Sequence, residues 1–275
     1  MIYFPNAKIN IGLNIIKKRQ DGYHDIKSLL YPIPLCDALE IRPNQLNRTK
    51  FVQTGLPIST DNIEENLVMK AYRLLQNNFK LPFLDIHLHK VIPSQAGLGG
   101  GSSDAAFALM LINRVCELGL SQEDLARYAL MLGSDCPFFM QNKPMEVSGR
   151  GEIMKDAAMD LSGYWLTLIK TQEGISTKEA YDNVVPKDNQ ISYSSFTSID
   201  NFKDHIFNDF EPYVFAKIPL LSQLKQMLYE KGALYVSLTG SGSCMYALSK
   251  MKLDVSSIKG DSDMFLRQTK MTKID

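Results

Sequence analysis

The chain has 275 residues, a formal net charge of zero, 45% hydrophobic residues and 22% charged ones. That length supports two compact domains or one large one with a substantial core, and the composition is ordinary for a globular enzyme. Charge balance gives no global field for nucleic acid or an anionic membrane, and no apolar run reaches the length that spans a bilayer.

In chain order, residues 1–8 lack a basic segment followed by an apolar core, so export is not expected. Apolar alternation from Phe4 to Ile16, interrupted by Asn and Lys, predicts a first strand carrying functional side chains. Lys17 to Gly22 reads as a turn, and Ser28 to Ile41 as short strands around Pro32 and Pro34. Asn66 to Asn77 has helical spacing through Leu67, Ala71, Leu74 and Leu75. Leu84 to Lys90 alternates as a strand with one buried face. His87 and His89 fall on its polar face and read as solvated or structural side chains rather than ligands. Cys36, Cys116, Cys136 and Cys244 stand singly, which predicts reduced thiols in a cytoplasmic protein rather than disulfides or structural zinc.

Residues 93–106 form the most informative stretch. Gly97, Gly99, Gly100 and Gly101 allow positive φ and close approach of a ligand to the main chain. The helix that follows carries Ala105, Ala106, Leu109, Ile112 and Cys116 on one stripe. Ser102 or Ser103 is expected to cap it, with Asp104 in its first turn. Strand, glycine loop and helix N-terminus together predict a phosphate site. No lysine follows the glycines, so a P-loop is excluded. Ser102 replaces the last glycine of the dinucleotide fingerprint, which leaves nicotinamide or flavin binding as a lesser alternative.

Downstream, the helix runs to about Leu118 and another spans Ser121 to Leu132, with Ser121 and Asp124 placed as a capping box. Gly133 to Phe139 is expected to end that helix and restart as an extended segment. The pattern loosens from Lys155 to Ser162, suggesting a boundary between domains 1–155 and 156–275. Then come strand Tyr164 to Lys170, a polar segment to about Asn201, helices near Phe215 and over Leu221 to Lys231, and strand Ala233 to Leu238. Thr239 to Ser243 is a second glycine turn, followed by apolar Cys244 to Leu248. The mixture fits a two-domain α+β architecture.

Three ordered motifs resemble the GHMP kinases: the strand with Ala7-Lys8-Ile9-Asn10, the loop Gly97 to Ser103, and the late turn Leu238-Thr239-Gly240-Ser241-Gly242-Ser243-Cys244. Asp21-Gly22-Tyr23-His24, the additional glycines and Gly133 to Phe138 make the pattern similar to the branch acting on a cytidine diphosphate-linked methylerythritol. The likeness spans residue 5 to about 248. It implies an N-terminal α/β domain like domain 2 of ribosomal protein S5 and a C-terminal ferredoxin-like α+β domain. It further implies a monomer or weak homodimer, with no nucleic-acid or membrane partner, that phosphorylates the 2-hydroxyl of that small molecule in the non-mevalonate isoprenoid pathway.

By the same resemblance, ATP is co-substrate and Mg²⁺ its counterion, with the protein's metal ligands unassigned and Ser103 a candidate. Asp135 would be general base and Lys8 its cationic neighbour. Pro93, Gly97, Leu98, Gly99, Gly100, Gly101, Ser102 and Ser103 would cradle phosphates, and Asn66 and Lys90 would line the adenosine pocket. A helix cap and a strand-end lysine are the plainer readings of those last two. Tyr23, His24, Thr177 and Tyr181 would hold cytidine, and Asn10 would contact the acceptor near its reactive end. The chain departs from the pattern by an additional Asn6 before Ala7, by Tyr181 where Phe is expected, and by Asp104 where Asn is common. Asp104 is expected to be structural.

Overall fold

The computed structural model describes residues 1–58, 62–187, 191–196, 198–258 and 264–273; parts of the polar segment before Asn201 lie outside them. The strands and helices in chain order are β1 (Ile2–Tyr3), β2 (Asn6–Lys18), β3 (His24–Cys36), β4 (Ala38–Pro43), β5 (Lys50–Gly55), α1 (Leu67–Gln76), β6 (Leu84–Lys90), α2 (Gly100–Val115), α3 (Gln122–Leu132) and α4 (Cys136–Gln141). They continue with β7 (Met145–Gly149), β8 (Ile153–Asp156), β9 (Trp165–Lys170), α5 (Thr177–Asn183), α6 (Phe202–His205), α7 (Glu211–Lys217), α8 (Pro219–Glu230), β10 (Tyr235–Leu238), β11 (Cys244–Ser249) and β12 (Phe265–Lys270). The elements group into two compact units that interleave along the chain.

One unit comprises Met1–Ala7, Leu35–Ser94 and Gly99–Lys143. Its sheet has the order β1-β4-β6-β5, antiparallel except for the parallel pair β5 and β6. Helix α2 packs against β4 and is flanked by α1, α3 and α4. The helix buries Ala105, Ala106, Leu109 and Ile112 of the predicted stripe and also Ala108 and Leu111, whereas Cys116 falls at its C-cap and is only partly buried. Ser121 and Asp124 close the expected capping box: each side chain accepts the other's backbone N–H at 3.1 Å. Residues after Asp135 form the short helix α4 rather than an extended segment. A proline in a first helical turn loses no hydrogen bond, and the turn buries Phe138 and Phe139.

The other unit comprises Lys8–Pro34, Gln95–Leu98 and Pro144–Asp275. One sheet runs β2-β3-β7-β8. Strand β3 is continuous through both prolines instead of breaking around them. Its pairing with β7 covers Ile26 to Leu30, so Pro32 and Pro34 lie beyond that ladder. The second sheet is antiparallel in the order β10-β11-β9-β12, the ferredoxin-like arrangement. Leu13 and Ile15 of β2 join Ile169, Phe210, Val214, Leu221, Leu228, Val236 and Met245 in one core. Strand β12 escaped sequence reading because its side chains are only partly buried and lack a clean alternation.

Candidate active site

The glycine loop ends differently from its sequence expectation. Helix α2 begins at Gly100, with Gly99 at the N-cap in the left-handed region (φ 69°) and no side-chain cap. Ser102, Ser103 and Asp104 therefore lie inside the helix, and neither serine caps it. The first intrahelical bond is donated by the Ser103 N–H to the Gly99 carbonyl at 2.9 Å. The N–H groups of Gly100, Gly101 and Ser102 precede it, at the positive end of the helix dipole. A side-chain cap would occupy the place where those donors receive an anion, so its absence suits a polyphosphate. Ser103 is fully buried, and its Oγ has no hydrogen-bond partner.

Lys90 follows from strand parity. In β6 the buried positions are Leu84, Ile86, Leu88 and Lys90, so the lysine lies on the apolar face. Its ammonium binds Asp37 and, at 2.6 Å, Asp104. Both carboxylate side chains are almost completely buried. Burial pushes Asp104 up to about 8 despite the Lys90 charge and raises it above the usual carboxylate range. The lysine expected near adenosine is thus held between two acids. Asn66 caps α1, its Oδ1 accepting the Val68 N–H at 2.9 Å.

Asp135 stands at the N-cap of α4 but makes no side-chain cap bond there. Next to it, Cys136 is buried and pushed up to about 12, which makes it an inert thiol. A Cβ built on Gly133 would lie 3.5 Å from Cys136 Sγ and 4.0 Å from Ser102 Oγ, so α2 and the segment carrying Asp135 meet beside this glycine.

In the other unit, Lys8, Asn10, Gly97, Thr239 and Gly240 come together. Lys8 is buried and donates through Nζ to Asn10 Oδ1 at 2.5 Å. That oxygen also accepts the Gly240 N–H at 3.0 Å, while Asn10 Nδ2 donates to Ser28 Oγ at 2.8 Å. Both ends of the amide are engaged by the protein, so Asn10 is a hub that orients Lys8. Thr239 Oγ1 donates to the Gly97 carbonyl at 2.9 Å, and the Lys8 N–H to the Leu98 carbonyl at 2.9 Å. The late glycine turn thus packs against the start of the loop. The additional Asn6 is buried, and its Oδ1 accepts from Asn142 Nδ2 at 2.9 Å within the first unit.

The cytidine candidates divide. His24 is buried and stacks on Tyr181, with ring centroids 5.0 Å apart and planes at 28°. Phe210 meets the same tyrosine edge-on at 4.9 Å. Thr177 opens α5, its hydroxyl 3.3 Å from that of Ser241 in the glycine turn. Tyr23 is 57% exposed and faces the Arg150 guanidinium, 4.3 Å from its ring centroid. Sequence reading named the turn that contains Thr239 but gave that residue no role, and it missed Asp37 and Arg150, which carry no local signal. Among the described residues no group of three or more His, Cys, Asp or Glu side chains could hold a metal ion.

Comparison with known proteins bears on the same segments. The model of the GHMP kinases N terminal domain matches residues 66–143, and that of the GHMP kinases C terminal region matches 194–260. A 4-diphosphocytidyl-2-C-methyl-D-erythritol kinase of Azobacteroides pseudotrichonymphae is 48% identical, covering 91% of this chain and 94% of the relative. One of Parabacteroides distasonis is 43% identical over 97% and 98% of the two chains. The crystal structure of a 4-(cytidine 5'-diphospho)-2C-methyl-D-erythritol kinase superposes with a TM-score of 0.79, at 27% identity and 98% coverage of both chains. A homoserine kinase from Cytophaga hutchinsonii, 16% identical with a TM-score of 0.72 over 98% of this chain and 94% of its own, shares the fold. With both family models matched and relatives this similar over nearly their whole length, the chain belongs to the GHMP kinase family.

Proposed function

We infer that this chain transfers the γ-phosphoryl group of ATP to the 2-hydroxyl of 4-diphosphocytidyl-2-C-methyl-D-erythritol. The observation that carries phosphoryl transfer is the uncapped N-terminus of α2, fed by the loop Gly97 to Gly101. The named substrate of the relatives, together with the aromatic group around His24 and Tyr181, supports the acceptor.

In this reading Asp135 takes the proton of the 2-hydroxyl as its oxygen bonds to the γ-phosphorus. The bond to the β-γ bridging oxygen breaks and ADP leaves. Lys8, aimed by Asn10, offsets charge on the transferring group. The loop residues Pro93 to Ser103 hold the phosphates. Mg²⁺ would travel with ATP as its phosphate counterion, with Ser103 Oγ the candidate contact from this chain. The family's two halves are proposed as residues 1–155 and 156–275; the two matched models fall one in each. Free thiols at all four cysteines support a reducing compartment such as the cytoplasm. No helix of the described residues is long and apolar enough to cross a membrane.

The deciding experiment is ADP release measured against a panel of small alcohols with and without a cytidine diphosphate group. Turnover confined to cytidylated acceptors supports the reading; equal turnover of plain alcohols overturns it. Tyr23→Ala is expected to raise KM for the cytidylated acceptor about tenfold while leaving KM for ATP unchanged. Equal losses on both substrates would remove Tyr23 from the cytidine site.

His24 adds a pH signature. Burial first, then the Lys18 charge, lowers its pKa from the ordinary 6.5. The imidazole is therefore neutral at pH 7, with one nitrogen able to donate and the other to accept at a cytosine edge. Because the shift is downward, protonation begins only below the ordinary value. KM for the acceptor is expected to stay flat from pH 8 to about 6.5 and to rise in more acid solution. A flat acceptor KM to pH 5 would show that His24 does not read the base.

A further inference from the structure

We propose that Asp37, Lys90 and Asp104 form a buried clasp that positions the phosphate loop for ATP. The proposal rests on reading that loop as the ATP cradle, and the test below separates the two.

The clasp touches both chain segments that flank the loop. Asp37 lies between β3 and β4, and its Oδ1 accepts the N–H groups of Val91 at 2.5 Å and Ile92 at 2.8 Å. These are the last residues before the loop segment Pro93 to Gly99. Asp37 Oδ2 accepts from Lys90, the last residue of β6. The same ammonium crosses to Asp104 Oδ2 in the second turn of α2, after the loop. A Cβ built on Gly100 would lie 3.4 Å from Lys90 Nζ and 2.8 Å from a methyl of Ile92. The ammonium therefore sits directly beneath the first residue of the helix whose N–H groups face the phosphates.

The charges make this arrangement more than packing. Three ionised groups would leave one net negative charge buried under a site for polyphosphate, an expensive combination in low dielectric. Asp104 Oδ1 has no hydrogen-bond partner, although its side chain is only 4% exposed. An ionised carboxylate normally satisfies both oxygens when buried. Burial raises Asp104 and so favours its protonated form, which leaves Lys90 paired with Asp37 and the clasp neutral. A neutral clasp fixes the helix start without opposing the ligand. Asn has the same shape and is uncharged, and this explains how Asp104 can stand where the family pattern often has Asn.

Asp104→Ala removes the helix end of the clasp, and Asp104→Asn preserves its shape and an acceptor for Lys90. With ADP release as the assay at pH 7, Asp104→Ala is expected to raise KM for ATP about tenfold. KM for the cytidylated acceptor should stay within about twofold. Asp104→Asn should restore KM for ATP to within about twofold of the parent. A merely structural role would lower the melting temperature and active fraction of Asp104→Ala but leave both KM values in place; that outcome overturns the proposal. Equal rises in both KM values, or failure of Asp104→Asn to restore ATP affinity, overturn it as well. Should Asp104→Ala be insoluble, Asp104→Ser, which retains a hydroxyl, is read by the same split. The cradle reading fails separately: the parent protein would then show no saturable dependence of rate on ATP.

Discussion

Asp135→Asn is expected to lower kcat by about 10²- to 10⁴-fold while KM for ATP stays within about twofold. The amide keeps the size and hydrogen-bonding reach of the carboxylate but cannot take the proton of the attacking hydroxyl. Since that proton moves only as the new oxygen-phosphorus bond forms, the loss belongs to the transition state and appears in kcat. The local structure supports such a role. Asp135 occupies the N-cap position of α4 without a side-chain cap bond to it. Its neighbour Cys136 is buried with Phe138 and Phe139, which anchors the segment and leaves substitution of the acid tolerable for folding. Single-turnover ADP formation with saturating substrates is the measurement. If Asp135→Asn turns over at the parent rate, the acid is not the base. If KM for ATP rises in step with the fall in kcat, it acts in nucleotide binding instead.

Much of this arrangement is legible in the sequence, and the residues that are not share a cause. The strand with Lys8, the loop, the capping box and the late glycine turn each announce themselves through local chemistry: alternation, positive-φ glycines, or a side chain that bonds three residues away. The helix start at Gly100 was misplaced because Ser102 and Ser103 are good caps by type. Tertiary packing placed both inside the helix and left the cap to a glycine. The partners of Lys90 escape the sequence for a different reason. The lysine's parity in β6 puts it on the buried face, but a buried lysine needs acids, and Asp37 is distant in sequence with no periodic or motif signal. Asn10 likewise reads as a polar strand residue; only its bonds to Gly240, Ser28 and Lys8 make it a hub. Pairings between remote segments are what one sequence cannot display. Family resemblance supplied the roles proposed for Tyr23, His24 and Asp135, and composition or spacing would not have done so.

Gly97→Ala tests the joint between the loop and the late glycine turn, and it should be the most damaging single-atom addition in the second unit. Gly97 has φ +70°, a region that costs a residue with a Cβ about 1–2 kcal/mol. The added carbon would also stand 2.0 Å from the Thr239 carbonyl oxygen and 2.8 Å from its carbon. Both are backbone atoms of a turn held by the Gly97 carbonyl through Thr239 Oγ1 and by Asn10 through the Gly240 N–H. Neither side can yield without breaking bonds that orient Lys8, and such overpacking costs about a further 1–3 kcal/mol. Together these predict a melting temperature lower by roughly 5–15 °C. Gly163→Ala is the control: its φ is +89° and nothing lies within 4 Å of the added carbon, so it carries the backbone cost alone. Its melting temperature should fall by roughly 2–6 °C with both KM values unchanged. The excess loss in Gly97→Ala measures the collision. In the folded fraction, KM for ATP should rise and kcat should fall together, because the carbonyl of neighbouring Leu98 accepts the Lys8 backbone N–H. Equal thermal losses in the two variants would mean that the turn gives way freely. In that case Thr239 and Gly240 would be ordinary neighbours of the loop and would play no part in setting Lys8.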